Sequence, residues 1–131
     1  MQLPKFPETD RFENFRWPEG KRCAVVLTWH VDAETALLDA DETNTEHFAA
    51  VSDARFGVKI GVPHIMEELE RFSTKATFFV PGAVAEWYPK LVENIYSRGH
   101  EIGHHGYLHE NIIGLSEAEE EEALVKGIEA L

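Results

Sequence analysis

The sequence predicts an α/β protein built on parallel strands, arranged as a partial (β/α) barrel. Three observations predict it. The apolar, β-rich runs at residues 23–29 and 76–80 are continuous rather than alternating, as expected of strands buried on both faces of a parallel sheet. Stretches with apolar residues at helical spacing stand between and after these runs. The resulting order, strand–helix–strand–helix–strand–helix, is the pattern of parallel sheets joined by right-handed crossovers.

Composition narrows the class. The 131 residues suit one domain, 1–131, with a core of its own, and 44% hydrophobic residues argue against disorder. A net charge of −12 argues against nucleic acid or an anionic membrane surface as partner. The single cysteine, Cys23, excludes an internal disulfide and a cysteine-based zinc site. Within its apolar run it reads as a buried, inert thiol. No apolar stretch approaches the roughly 20 residues of a membrane span. The start of the chain, from Met1 to Lys5, lacks a signal pattern, so a cytoplasmic protein is expected.

Along the chain, residues 1–21 read as an irregular arm carrying Pro4, Pro7 and Pro18, with Phe6, Phe12, Phe15 and Trp17 as anchors. The first strand follows and ends in the polar tip His30, Val31, Asp32, Ala33, Glu34. Residues 35–61 read as a long loop with a short helix near 47–51, closed by Gly57 and Gly61. Pro63 suits the first turn of a helix whose inner face is Ile65, Met66, Leu69 and Phe72. The second strand, 76–80, stops at Pro81 and Gly82. A second helix, with Trp87, Tyr88, Leu91, Val92, Ile95 and Tyr96 turned inward, ends near Gly99. The third strand is short, 101–105. Ser116 and Glu119 form a capping box that opens a third helix with the stripe Leu124, Ile128 and Leu131.

Residues 99–110 hold four of the seven histidines, with glycines too dense for a helix interior. His105 and His109 stand as an H-x-x-x-H pair. In a parallel barrel the strand C-termini share one face, so Asp32 and this pair would meet there. Asp with two His and open positions suits a catalytic divalent metal. Spacing alone also admits His105 hydrogen-bonded in the core, His109 exposed on a loop and Asp32 as a turn cap.

Residues 28–34, Thr-Trp-His-Val-Asp-Ala-Glu, resemble the first motif of the polysaccharide deacetylase (NodB-homology) superfamily. They are closest to the branch that reads Asp-Val-Asp-Ala-Glu. Residues 103–110, Gly-His-His-Gly-Tyr-Leu-His-Glu, resemble its second motif, and residues 61–63 and 75–82 its intervening segments. The resemblance implies a distorted seven-stranded barrel of TIM type. It implies one divalent metal, expected to be Zn2+, held by Asp32, His105 and His109. It implies a hydrolase of non-peptide C–N bonds acting on N-acetylated sugars of polysaccharide, or on cyclic ureides and imides, as others of this branch do.

Two features depart from the family. Where its catalytic base is an Asp, this chain has His30. A neutral imidazole can serve as base, can act as a fourth ligand, or can mark a catalytically inactive metal- or carbohydrate-binding half-barrel. The later family motifs, with an Arg that orients the base and a His that acts as general acid, are absent, so the chain is expected to be the N-terminal half of the barrel. If it is complete, three strands cannot close a barrel, and a homo-oligomer is expected. Strand alternation sends His104 to the opposite face from His105, against a helix. His100 is expected to contact backbone, Glu34 and Glu110 either orient ligands or are solvated, and His47 and His64 carry no role. Trp29 reads as core in preference to a sugar pocket.

Overall fold

The structure, a computed structural model, describes residues 16–40 and 46–131. Three parallel strands, β1 (Thr28–His30), β2 (Thr77–Val80) and β3 (Glu101–His104), lie side by side in that order. Trp29 stands beside Phe78 and Phe78 beside Ile102, while His30, Phe79 and Gly103 form the next row. Alternation along β2 divides the sheet into two faces. Phe78 and Val80 are fully buried, whereas Thr77 and Phe79 are only partly so.

The buried face packs against helices. The core gathers Val31, Val58, Val62, Met66, Leu69, Phe78, Val80, Val84 and Ile95, with Trp29 stacked on Phe78 at 5.7 Å between ring centroids. Trp29 is therefore core, as expected. The opposite face carries His30, Phe79 and Gly103. A Cβ on Gly103 would lie 2.5 Å from the Phe79 ring, so only glycine lets Phe79 cross β3 there.

This one-sided cover overturns the reading of residues 23–29 as a strand buried on both faces. Among the described residues only 28–30 pair, β1 is an edge with one neighbour, and Val25 and Val26 are 78% and 79% exposed. Cys23 is exposed, not buried. Its apolar run has no second layer to enter among the described residues. The anchors Phe6, Phe12 and Phe15 fall outside the described residues, and Trp17 is exposed.

The expected long loop is largely helical: α1 (Thr35–Ala40), α2 (Phe48–Phe56), a π-helical segment (Gly57–Gly61) and α3 (Val62–Arg71). From Phe48 to Arg71 the chain is one continuous helical run. The two glycines that suggested a loop end lie in its widened turn, where Val58 is buried. Met66 and Leu69 are buried as expected, but Phe72 stands out in solvent beyond the helix end. The helix after β2 is broken into α4 (Gly82–Trp87) and α5 (Pro89–Ser97), because Pro89 cannot continue the helical ladder past Tyr88. The break turns Trp87 outward, and Tyr96 is exposed as well. After a 3₁₀ turn, α6 (Glu117–Ala130) starts on the expected capping box, with Ser116 and Glu119 exchanging hydrogen bonds. Its stripe of Leu124, Ile128 and Leu131 is uncovered.

Candidate metal centre

The tips of β1 and β3 carry the site. Beyond His30 the chain stays tied to β2, with the Val31 amide donating to the Phe79 carbonyl at 2.9 Å. It then turns through Ala33, which has φ of 48°. The buried Thr35 donates both its amide and its hydroxyl to the Asp32 carbonyl, at 3.0 and 2.6 Å. The Asp32 backbone thus closes the first turn of α1 and leaves its side chain available.

The histidine loop is held from three sides. The first amides of α4 donate into it, Gly82 to the Gly106 carbonyl (3.0 Å) and Ala83 to the Tyr107 carbonyl (2.9 Å). The Glu110 carboxylate accepts from the amides of Tyr107 and Leu108 at 2.9 and 2.8 Å. Gly106 has φ of 73°, and a Cβ there would meet Glu110 at 2.6 Å, so the turn requires glycine. His109 adopts φ of 64°, a left-handed conformation that costs a non-glycine residue on the order of 1 kcal/mol. Glu110 therefore builds the loop that carries His109.

Asp32, His105 and His30 are brought together: their ligand-type atoms lie within 4.8 Å of one another. The His30 ring contacts His105 edge-on at 4.4 Å and Phe79 at 5.5 Å. His109 is outside that tight group but packs its ring against His105 at 4.8 Å. His104 points to the other face, as strand alternation requires. A Cβ on Gly127 of α6 would collide with its imidazole, and its Nδ1 accepts from the Gly106 amide at 3.4 Å.

Asp32 Oδ1, His105 Nε2 and His109 Nδ1 are all shut off from solvent without a hydrogen-bond partner. Each buried, unpaired polar atom costs about 1–3 kcal/mol. One carboxylate oxygen and two imidazole nitrogens are the donor set a divalent cation takes, so these residues fit such an ion. His104 Nε2 is also unpartnered, but against α6. Burial holds the His105 pKa below its usual value, opposed by the Asp32 charge and reinforced by His30, His109 and His104. The shift favours the neutral imidazole, the form a metal ligand takes.

Around this centre lies a group that local sequence signals do not connect. Glu34 accepts from Arg55 Nε at 2.6 Å and from the Tyr88 hydroxyl at 2.8 and 2.9 Å. Burial pushes its carboxyl up, but the bonds from Arg55 and Tyr88 outweigh this and hold it below the usual value. Residues 34, 55 and 88 share no motif. Only the proximity of Glu34 to Asp32 in sequence pointed at the first of them.

A parallel α/β sheet with a candidate divalent-metal centre at its strand tips defines the class. Residues 56–131 match the profile of the polysaccharide deacetylase family, and the chain belongs to that family. It is similar to a crystal structure from Mycobacterium smegmatis assigned to the polysaccharide deacetylases, with 44% identity and a TM-score of 0.86 over 89% of this chain and 41% of that one. It is 33% identical over 81 residues to the peptidoglycan deacetylase of Helicobacter pylori, covering 62% of this chain and 28% of that protein. It also resembles the crystal structure of PuuE allantoinase, with 27% identity and a TM-score of 0.61 over 63% of this chain and 27% of that one. The chain thus spans less than half the length of each of these relatives.

Proposed function

We propose that this chain is the N-terminal half of a metal-dependent hydrolase that deacetylates N-acetylated sugars in polysaccharide. The observation that carries the reading is the set of three buried, unpartnered atoms on Asp32, His105 and His109. A divalent cation, zinc by the chemistry of the donors, would polarise the amide carbonyl and lower the pKa of a water at this place. Asp32, His105 and His109 hold it. His30, exposed at the mouth of the cluster, takes the proton from the attacking water. The proton for the leaving nitrogen comes from the other half of a seven-stranded barrel, which also covers the open face of the sheet. The share of its relatives that the chain spans supports this division.

The likeness to PuuE allantoinase favours a second reading within the same chemistry, hydrolysis of a cyclic ureide or imide. The replacement of the family Asp by His30 favours a third, a catalytically inactive metal- or carbohydrate-binding half-barrel. No helix among the described residues is long and apolar enough to cross a membrane. Incubating the zinc-loaded whole barrel, this chain together with its other half, with N-acetylglucosamine oligomers and with a cyclic imide separates the readings. Acetate release from the oligomers is expected. Ring opening of the imide alone would move the assignment to the second reading, and metal binding with neither product would move it to the third.

A further inference from the structure

The amides of Tyr107 and Leu108 follow one another and turn to the same side, just after Gly106 at φ of 73°. Successive amides beside a left-handed residue form a concavity that binds anions. Here the chain fills it with its own carboxylate. Glu110 Oε2 accepts from Tyr107 at 2.9 Å and Oε1 from Leu108 at 2.8 Å. The same turn is tied down from outside. The Gly106 and Tyr107 carbonyls accept from the first amides of α4. The Tyr107 hydroxyl donates to Glu86 at 3.0 Å, and Lys126 of α6 stands 3.7 Å over the Tyr107 ring.

These outer ties act at Gly106 and Tyr107. Leu108, the neighbour of His109, is held by Glu110. The bond from the Leu108 amide to the Glu110 side chain therefore spans His109, which sits inside the ring that this bond closes. His109 has φ of 64°, and its Nδ1 is buried without a partner. A left-handed residue other than glycine persists only where its surroundings over-determine it.

We infer that Glu110 is a positioning residue for metal binding, one that holds the His109 imidazole in its ligand position in the metal-free protein. The backbone strain at His109 is then met during folding and is not taken from the binding energy of the ion. The inference rests on the assignment of His109 as a ligand in the proposed function above. Both Glu110 oxygens are engaged by loop amides, so the residue acts through His109 and not as a ligand itself.

The test is a double-mutant cycle on zinc affinity, read by chelator competition, together with amide exchange in the metal-free 131-residue chain. Glu110→Gln keeps the size of the side chain but turns an NH2 group toward one of the two amide donors. It should weaken zinc binding about 10–100-fold. It should also speed exchange of the Tyr107 and Leu108 amides about ten-fold. Gly106→Ala, whose Cβ would lie 2.6 Å from Glu110 Oε2, should reproduce both effects. In a His109→Ala background, Glu110→Gln should change zinc affinity by less than about two-fold. An equal loss in both backgrounds overturns the inference, because the carboxylate would then act on the ion by charge alone. Faster exchange throughout the chain with zinc affinity unchanged overturns it too, leaving Glu110 a purely structural role. If His109→Ala weakens zinc binding and Glu110→Gln does not, the ligand assignment stands and only the positioning role falls. A His109→Ala protein that binds zinc as tightly as the parent removes both.

Discussion

His105 Nε2 lies 3.5 Å from Asp32 Oδ1, and neither buried atom has a hydrogen-bond partner. A protonated imidazole would make this an ion pair, but burial lowers the His105 pKa against the pull of Asp32. A neutral imidazole keeps one N–H, but at this distance Nε2 and Oδ1 share no hydrogen bond, and a cation placed between them would satisfy both. We therefore expect Asp32→Ala and His105→Ala each to lower zinc affinity by about 100-fold or more, above the 10–100-fold typical of outlying partners. His109→Ala should cost far more than His104→Ala, because only the former points an orphan nitrogen to this side. Competition against a chromophoric chelator reads these constants, and equal losses for the two histidines would refute the ligand assignment.

His30 gives the second prediction. As the proton acceptor, its removal in His30→Ala should reduce turnover by about 10²–10⁴-fold while zinc content by atomic absorption is unchanged. Loss of bound zinc in that variant would instead make His30 a ligand.

The third concerns pH and stability. His100 is 5% exposed, and its Nδ1 accepts from the Ala76 amide at 3.3 Å. Burial lowers its pKa, with the charges of Lys75 and Arg98 acting in the same direction. A folded-state pKa below the unfolded value means that the unfolded chain binds more protons. Stability from this site is therefore full above the unfolded value of 6.5 and is lost as pH falls through the folded-state value. Urea midpoints between pH 5 and 7.5 should fall toward acid less steeply in His100→Gln than in the parent. Parallel slopes would show that His100 does not titrate with unfolding.

Gly127 carries the fourth. A Cβ there meets the His104 imidazole and lies 2.7 Å from the Gly106 carbonyl. Gly127→Ala should push α6 away from the tip of β3 and cost about 1–3 kcal/mol. Thermal unfolding checks this, and an unchanged Tm would mean that α6 yields without strain.

The fifth is assembly. Among the described residues the β1 and β3 edges have one neighbour each, and Val25, Val26 and Ile128 are all more than half exposed. We expect the isolated 131-residue chain to self-associate through interfaces above about 1,000 Å². A monodisperse 15 kDa particle in light scattering at low micromolar concentration, with cooperative unfolding, would contradict this.

The sequence was most legible where local chemistry decides the outcome. The capping box at Ser116, the run at 76–80 and the break before Gly82 are short-range signals, and all three appear in the fold. The opposite orientations of His104 and His105 follow from strand geometry alone. What local pattern could not show was what covers each surface. Residues 23–26 have the composition of a buried strand, but burial depends on neighbours that composition does not encode. The helix from Phe48 was expected only over 47–51, because its sequence has no apolar stripe at helical spacing and because Gly57 and Gly61, which the widened turn accepts, suggested an end. Arg55 and Tyr88 converge on Glu34 from 21 and 54 residues away, a distance across which no spacing rule reaches.

The widened turn at Gly57–Gly61 also acts as a phase keeper. A π-helical turn takes about one residue more to close than an α-helical turn, so the segment sweeps nearly the angle that one residue fewer would sweep in an ordinary α-helix. The extra residue is absorbed without rotating α2 against α3, which Val62, Met66 and Leu69 clamp to the core. Winding the same residues as ordinary α-helix would instead carry the Arg55 guanidinium about a quarter-turn around the axis, away from Glu34. The angular setting of one side chain on α2 is thus kept by an irregularity in the helix downstream of it.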